Sequence, residues 1–255
     1  MAIKIIFDFG ANEGQNLSYY LKKADLVVAV EANPALAKKI KNDFKDQVED
    51  KSLLVLNNCL VGEKTSDVVN FYCHKTDGGL SSFKEPKTSL SSYDLIKVEP
   101  ITYQEIVAKV GIPFYVKIDL EGLDFIIFDS IIKSKILPYY LSFENSVTYT
   151  EEILKNTQDY QSFNFVSFYN YSKIYGKTED KTAGPFGLDI KSPWLNQKAI
   201  ITMYKKMPST WFDIHLCRED QMNDLIDEGF YKMDFDVILS LKQFTQKVLR
   251  KITSN

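Results

Sequence analysis

Ile3-Lys4-Ile5-Ile6-Phe7-Asp8-Phe9-Gly10-Ala11-Asn12-Glu13-Gly14 opens the chain with an apolar run that meets an acid and then two glycines. A run of this kind from Ile3 to Phe9 predicts a buried strand of a parallel sheet, covered on both faces. Gly10 and Gly14 let the chain turn tightly and let a ligand approach the backbone, with helix amides exposed nearby. Gly14 to Lys23 then reads as a helix, with Leu17, Tyr20 and Leu21 at three-to-four spacing. Leu26 to Val30 is a second buried strand closed by Glu31, Pro34 sits where a helix begins, and Ala35 to Phe44 continues it. Leu53 to Leu56 predicts a third strand.

The same alternation continues along the chain. Val68 to Cys73 reads as an exposed strand of an inserted hairpin, Tyr103 to Val110 as a helix and Phe114 to Ile118 as another apolar strand. Leu123 to Ile132 predicts a helix, and Leu137 to Phe143 a strand that ends at Glu144. Repeated units of this kind imply an α/β fold with a doubly wound, mostly parallel sheet, a β-hairpin insert and a C-terminal extension. Ligands of such sheets bind at the carboxyl ends of the strands, where Asp8, Glu31, Asn58, Asp119 and Glu144 fall.

From about Thr148 the texture changes. Asn164 to Tyr171 and Lys198 to Tyr204 read as strands, and Thr178 to Leu195 as a loop containing Gly184, Pro185, Gly187 and Pro193. Asp236 to Ile252 has helical spacing with basic residues between its apolar ones, and is expected to pack on the body of the protein rather than on a membrane. One domain over 1–255 is expected, with a ligand-binding core over 1–147 and substrate-side elements over 148–255.

Composition removes several classes. With 45% hydrophobic and 25% charged residues, the 255-residue chain is an ordinary globular one. Thirty-one Lys and Arg against 34 Asp and Glu give a formal charge of −3, without the basic stripe that grips a nucleic-acid backbone. Cys59, Cys73 and Cys217 make neither a metal knuckle nor a disulfide framework, and two histidines make no His-rich metal site. No segment approaches the roughly 18 apolar residues of a membrane span, and the apolar start meets Asp8 too early for a signal peptide. A cytoplasmic protein without an integral membrane segment or a nucleic-acid partner is therefore expected.

The loop from Asp8 to Gly14 carries the strongest chemical signal. A dinucleotide fingerprint needs Gly-x-Gly-x-x-Gly, and position 12 is Asn, so a pyrophosphate lacks its usual seat. No Gly-Lys-Ser/Thr follows, which excludes a Walker loop. Seventeen residues after Gly14, Glu31 ends the second strand, where an acid can accept both hydroxyls of a ribose. Glycine loop and acid together indicate an adenosine-type ligand.

At this point the sequence resembles a family. Asp8-Phe9-Gly10-Ala11-Asn12-Glu13-Gly14, Val28-Ala29-Val30-Glu31-Ala32-Asn33-Pro34 and Val116-Lys117-Ile118-Asp119-Leu120-Glu121-Gly122 look like the signature of FkbM-type methyltransferases, over about Ile3 to Glu144. The resemblance implies a Rossmann-like class I methyltransferase fold and S-adenosylmethionine-dependent O-methylation of sugars, glycans or other hydroxylated metabolites. It implies that Asp8, Gly10, Asn12 and Gly14 cradle the methionine part, that Glu31 holds the ribose and that Asn58 contacts adenine.

Asp119 and Glu121 stand two residues apart where the fourth core strand ends. Methyl transfer to a hydroxyl needs in-line geometry and removal of a proton. Either carboxylate can serve as the base, and the pair can also hold a divalent metal, while an acid at this point can equally cap the next helix. Asp119 is the first choice, followed by Glu121 and by His74 in the insert, with Glu144 expected to bind substrate hydroxyls. His215 has the weaker case and can simply be packed. Two rival functions remain: a nicotinamide-dependent oxidoreductase and a non-catalytic glycan-binding protein on the same fold.

Overall fold

The computed structural model describes residues 3–87, 89–167, 185–190, 192–206 and 212–219. Its main sheet has seven strands. These are β1 (Ile5–Phe9), β2 (Leu26–Val30), β3 (Leu53–Leu56), β8 (Tyr115–Ile118), β9 (Tyr140–Glu144), β10 (Ser162–Ser167) and β11 (Phe212–Cys217). They lie in the order β10-β11-β9-β8-β1-β2-β3, and β11 alone runs against its neighbours. This is the doubly wound, mostly parallel α/β sheet expected from the sequence, in the Rossmann-like arrangement that the resemblance implied. From β1 the chain winds outward to β2 and β3, then crosses back to β8 and β9. The gap between the ends of β1 and β8 is thus a topological switch point, where sheets of this kind bind ligands.

Burial on both faces explains the unbroken apolar strands: all five residues of β1 and all four of β8 are buried. On one face Phe7, Phe9, Ile118 and Phe143 meet helices α4 (Tyr103–Val110), α5 (Asp124–Ser134), α6 (Thr150–Asn156) and α7 (Gln197–Tyr204). On the other, Ile6, Val27, Ala29 and Val55 pack with α1 (Leu17–Tyr20) and α2 (Pro34–Asp43), and Tyr115 and Tyr140 with Phe186, Ile190 and Trp194. Helix α2 starts as its sequence dictates: Asn33 accepts a hydrogen bond from the Ala35 amide at 2.9 Å, and Pro34 takes the first position. Thr102 and Glu105 form a capping box at the start of α4.

The insert is a separate antiparallel pair, β5 (Val69–His74) with β6 (Tyr93–Val98). A short 3-10 turn at Gly78–Leu80 lies between them. Helices α3 (Lys45–Glu49) and α6, strand β11 and the parallel pair β4 (Cys59–Val61) with β7 (Pro100–Thr102) had no sequence expectation. Two expectations need correction. Residues 198–204 are helical, not a strand, because Ile200 and Tyr204 bury one helical face against the core while the Asn196 side chain caps the start. The helix expected over Gly14 to Lys23 is only one turn long, since the chain tightens at once into three-residue turns at Lys22 and Lys23. Asp236 to Ile252, residues 168–171 and residues 178–184 lie outside the described residues. Among those described, no helix is long and apolar enough to cross a membrane.

Candidate functional site

The switch point is built by backbone contact between β1 and β8. Gly10 has φ +78°, and a Cβ there would sit 1.8 Å from the Asp119 carbonyl oxygen, so only glycine fits. The Gly10 amide donates to the Val30 carbonyl at 3.0 Å, and the Asp119 amide to the Phe9 carbonyl at 3.0 Å. Glu31 closes this loop from the side. Its two carboxylate oxygens accept the Asn12 and Asn33 amides, each at 2.8 Å. Asn12 is thereby held at φ +49°, in the left-handed region that asparagine tolerates better than most residues. Burial pushes the Glu31 carboxyl up to about 7, against the opposing pull of the two amides and with a further upward push from Asp8.

An open cavity adjoins this loop. Gly10, Asn12, Glu31, Asn58, Asp119 and Glu121 all line it. Its other wall is apolar: Ala32, Leu36 and Leu60 from the core, and Phe71 and Phe83 from the insert, whose rings lie 4.7 Å apart. The insert's turn reaches across the opening, so that a methyl group at Gly78 would lie 2.9 Å from Asn12 Oδ1 and one at Gly79 would lie 3.6 Å from Glu121 Oε1.

The remaining sequence candidates are placed elsewhere. Asp8 is fully buried behind the loop rather than on the cavity wall, with its carboxylate 3.6 Å from Lys117 Nζ. Gly14, at φ +82°, packs between Leu17, Ile40 and Phe44 and shapes the loop from below. His74 ends β5, where its Nδ1 accepts the Asp77 amide at 3.1 Å and its ring stands edge-on to Tyr93; it does not line the cavity. Glu144 ends β9 opposite Asp213 of β11, also away from the cavity wall. Asn58 lies two residues past the end of β3 and donates to the Glu99 carbonyl at 3.1 Å. His215 is buried on the sheet, and burial pushes its imidazole down to about 3.

Four residues matter here that the sequence did not single out. Lys117 is buried in the middle of β8, with its ammonium 3.0 Å from Asp119 Oδ2 and 3.6 Å from Asp8 Oδ1. Burial alone would push that ammonium down, but Asp119, Asp8 and Asp213 together hold it above its ordinary value. Asp213 is buried on β11, and burial followed by Asp119 drives its carboxyl well above the usual range. Asp124 accepts the Leu120 and Gly122 amides, each at 3.1 Å, and so ties the loop after β8, while the start of α5 at Leu123 has no side-chain cap from Asp119, Glu121 or any other residue. Asn57, next to the expected Asn58, donates to the Glu31 and Ala32 carbonyls at 2.9 and 3.1 Å and pins the end of β2. A signal existed for one of them: Lys117 is a lone charge inside the otherwise apolar β8 sequence.

Glu121 itself sits at φ +49°, a strained position for a non-glycine residue. Its carboxyl is pushed upward by burial first and then by Asp119, Glu144 and Asp124. Glu121 is exposed as a whole, so solvent screens part of this push.

The residues of the site discriminate between an adenosine-type cofactor, which the resemblance implies, and a divalent metal, which the Asp119 and Glu121 pair could hold. An adenosine-type cofactor fits: an acid at the end of β2, a glycine-lined approach to the backbone and an apolar slot meet in one cavity. A divalent metal fits poorly, because the Lys117 ammonium already engages Asp119 and Asp8. Among the described residues, no group of three or more His, Cys, Asp or Glu is arranged to hold one.

No family model matches the sequence, and no curated protein was found to match it. Solved structures with a similar course of the chain include an rRNA methylase from Streptococcus thermophilus, at 10% identity over 86% of this chain and 88% of that one, with a TM-score of 0.41. A methyltransferase FkbM from Methylobacillus flagellatus is 15% identical over 65% of this chain and 40% of that one, with a TM-score of 0.42. A precorrin-6y C5,15-methyltransferase from Geobacter metallireducens is 13% identical over 86% and 82% of the two chains, with a TM-score of 0.38. Likenesses at this level describe chain course and carry no chemistry to this protein.

Proposed function

We propose that this chain is an S-adenosylmethionine-dependent methyltransferase that acts on a hydroxyl of a sugar, glycan or similar hydroxylated metabolite. The observation that carries the reading is Glu31: an acid at the end of β2, on the cavity wall, bonded to the Asn12 and Asn33 amides beside an apolar slot. Each of its oxygens uses one lone pair on an amide and keeps another for a ribose hydroxyl. Ala32, Phe71 and Phe83 offer apolar surface to an adenine ring, and Asn58 offers a polar edge. Gly10, pressed against the Asp119 carbonyl, puts side-chain-free backbone on the cavity wall, where the methionine part would lie.

S-Adenosylmethionine supplies an electrophilic methyl group when bound. Asp119 and Glu121 then stand on the wall where an acceptor hydroxyl would approach. A carboxylate raised above its ordinary value is the better proton acceptor near neutrality, which favours Glu121 as base and leaves Asp119 to orient the hydroxyl. As the new oxygen–carbon bond forms and the sulfur–carbon bond breaks, the hydroxyl proton passes to the carboxylate, leaving a methyl ether and S-adenosylhomocysteine. His74 stands outside this scheme, because it is engaged in its own turn.

Asp119 and Glu121 on the cavity wall suit a neutral acceptor better than a polyanion such as a nucleic acid. The nicotinamide alternative is weakened by Asn12, whose amide is spent on Glu31 instead of a diphosphate. Calorimetric titration with S-adenosylhomocysteine and, separately, NADH tests the reading. Binding of the first and not the second is expected, and binding of NADH alone would overturn it.

A further inference from the structure

Lys117 is a lysine almost wholly removed from water, in the middle of a central strand. Lysine is rarely placed there without a paired charge, since the ammonium must give up its hydration. Two carboxylates meet it, Asp119 Oδ2 at 3.0 Å and Asp8 Oδ1 at 3.6 Å, while Asp213 adds its field from the neighbouring part of the sheet. Asp8 is fully buried and neither of its oxygens receives a hydrogen bond, so Lys117 is its only compensation among the described residues. Asp119, in contrast, is partly exposed on the cavity wall. The ammonium therefore bridges a hidden acid and a ligand-facing one. A divalent ion in an oxygen-rich site would make the same bridge.

We propose that Lys117 is the site's own tethered cation, standing where a divalent metal would sit between Asp8 and Asp119 and fixing the Asp119 carboxylate at the cavity wall. Lys117 is thus a positioning residue acting through Asp119. Its effect on cofactor affinity rests on the methyltransferase reading, while its occupation of the cation position does not. Ligand binding in the natural protein is then indifferent to magnesium, and neutralising Lys117 creates a demand for it.

The test uses the full chain and two probes, magnesium alone and S-adenosylhomocysteine, by calorimetry. The unsubstituted protein is expected to give no heat with magnesium and equal S-adenosylhomocysteine affinity in magnesium and in EDTA. Lys117→Gln is expected to gain a magnesium site, to bind S-adenosylhomocysteine at least tenfold more weakly in EDTA, and to recover part of that loss with magnesium. A magnesium site in the unsubstituted protein, or none in Lys117→Gln, would overturn the proposal. If Lys117→Gln fails to fold, Asp8→Asn/Lys117→Met removes one acid together with the cation. This variant is expected to match the affinity of Asp119→Asn, and unaltered affinity would count against the proposal. Failure of the unsubstituted protein to bind S-adenosylhomocysteine removes the cofactor reading alone, and the magnesium titrations still decide the role of Lys117.

Discussion

Glu31 is both the ligand-facing acid of the cavity and the clasp of its own loop. Its carboxyl stands at about 7, against an ordinary value near 4.5, because burial favours the protonated form in the folded protein. Between those two values the folded state holds more protons than the unfolded one, so stability falls as pH climbs from near 4.5 to about 7. Across that window the difference is worth on the order of 3 kcal/mol. Glu31→Gln should flatten the slope, which denaturant melts at several pH values will read. The ionised carboxylate is the form that best accepts ribose hydroxyls, so S-adenosylhomocysteine affinity should rise as pH passes through about 7. Glu31→Ala loses both amide contacts, and should weaken binding by about 2 kcal/mol or more. Gly10→Ala puts a methyl group onto the Asp119 carbonyl and should cost more than about 2 kcal/mol of stability in thermal melts.

Elements differ in how plainly the sequence announces them. Strands β2 and β3 and helix α4 fall on their expected residues, because each is a short apolar or capped stretch with clear punctuation. Helix α7 does not: Ile200, Ile201 and Thr202 are β-branched and favour a strand locally, and only the burial of Ile200 and Tyr204 against the core selects the helix. The candidate site divides in the same way. Gly10, Glu31 and Asp119 are legible because they sit where a strand ends, whereas the roles of Lys117 and Asp213 depend on which strands become neighbours. The loop after β8 gives an element-scale prediction. Asp124→Ala frees the Leu120 and Gly122 amides at once, and should destabilise the protein by about 1–2 kcal/mol in denaturant melts. It should also loosen Glu121, whose strained backbone depends on that loop.

At the scale of the whole molecule, the site joins parts of the chain far apart in sequence. The glycine loop follows β1, the clasp follows β2, the aromatic wall comes from the hairpin insert and the acids follow β8. A ligand seated there must touch all four at once, and no single segment carries the binding. Phe83→Ser should therefore weaken S-adenosylhomocysteine binding measurably, by about 1 kcal/mol or more, although it lies outside the main sheet. Hydrogen exchange of the full chain with and without S-adenosylhomocysteine tests the central claim most directly. Added protection is predicted at residues 10–14, 31–33, 78–83 and 119–122 together. Protection confined to other segments, or none at saturating ligand, would contradict a cofactor site at the ends of β1, β2 and β8.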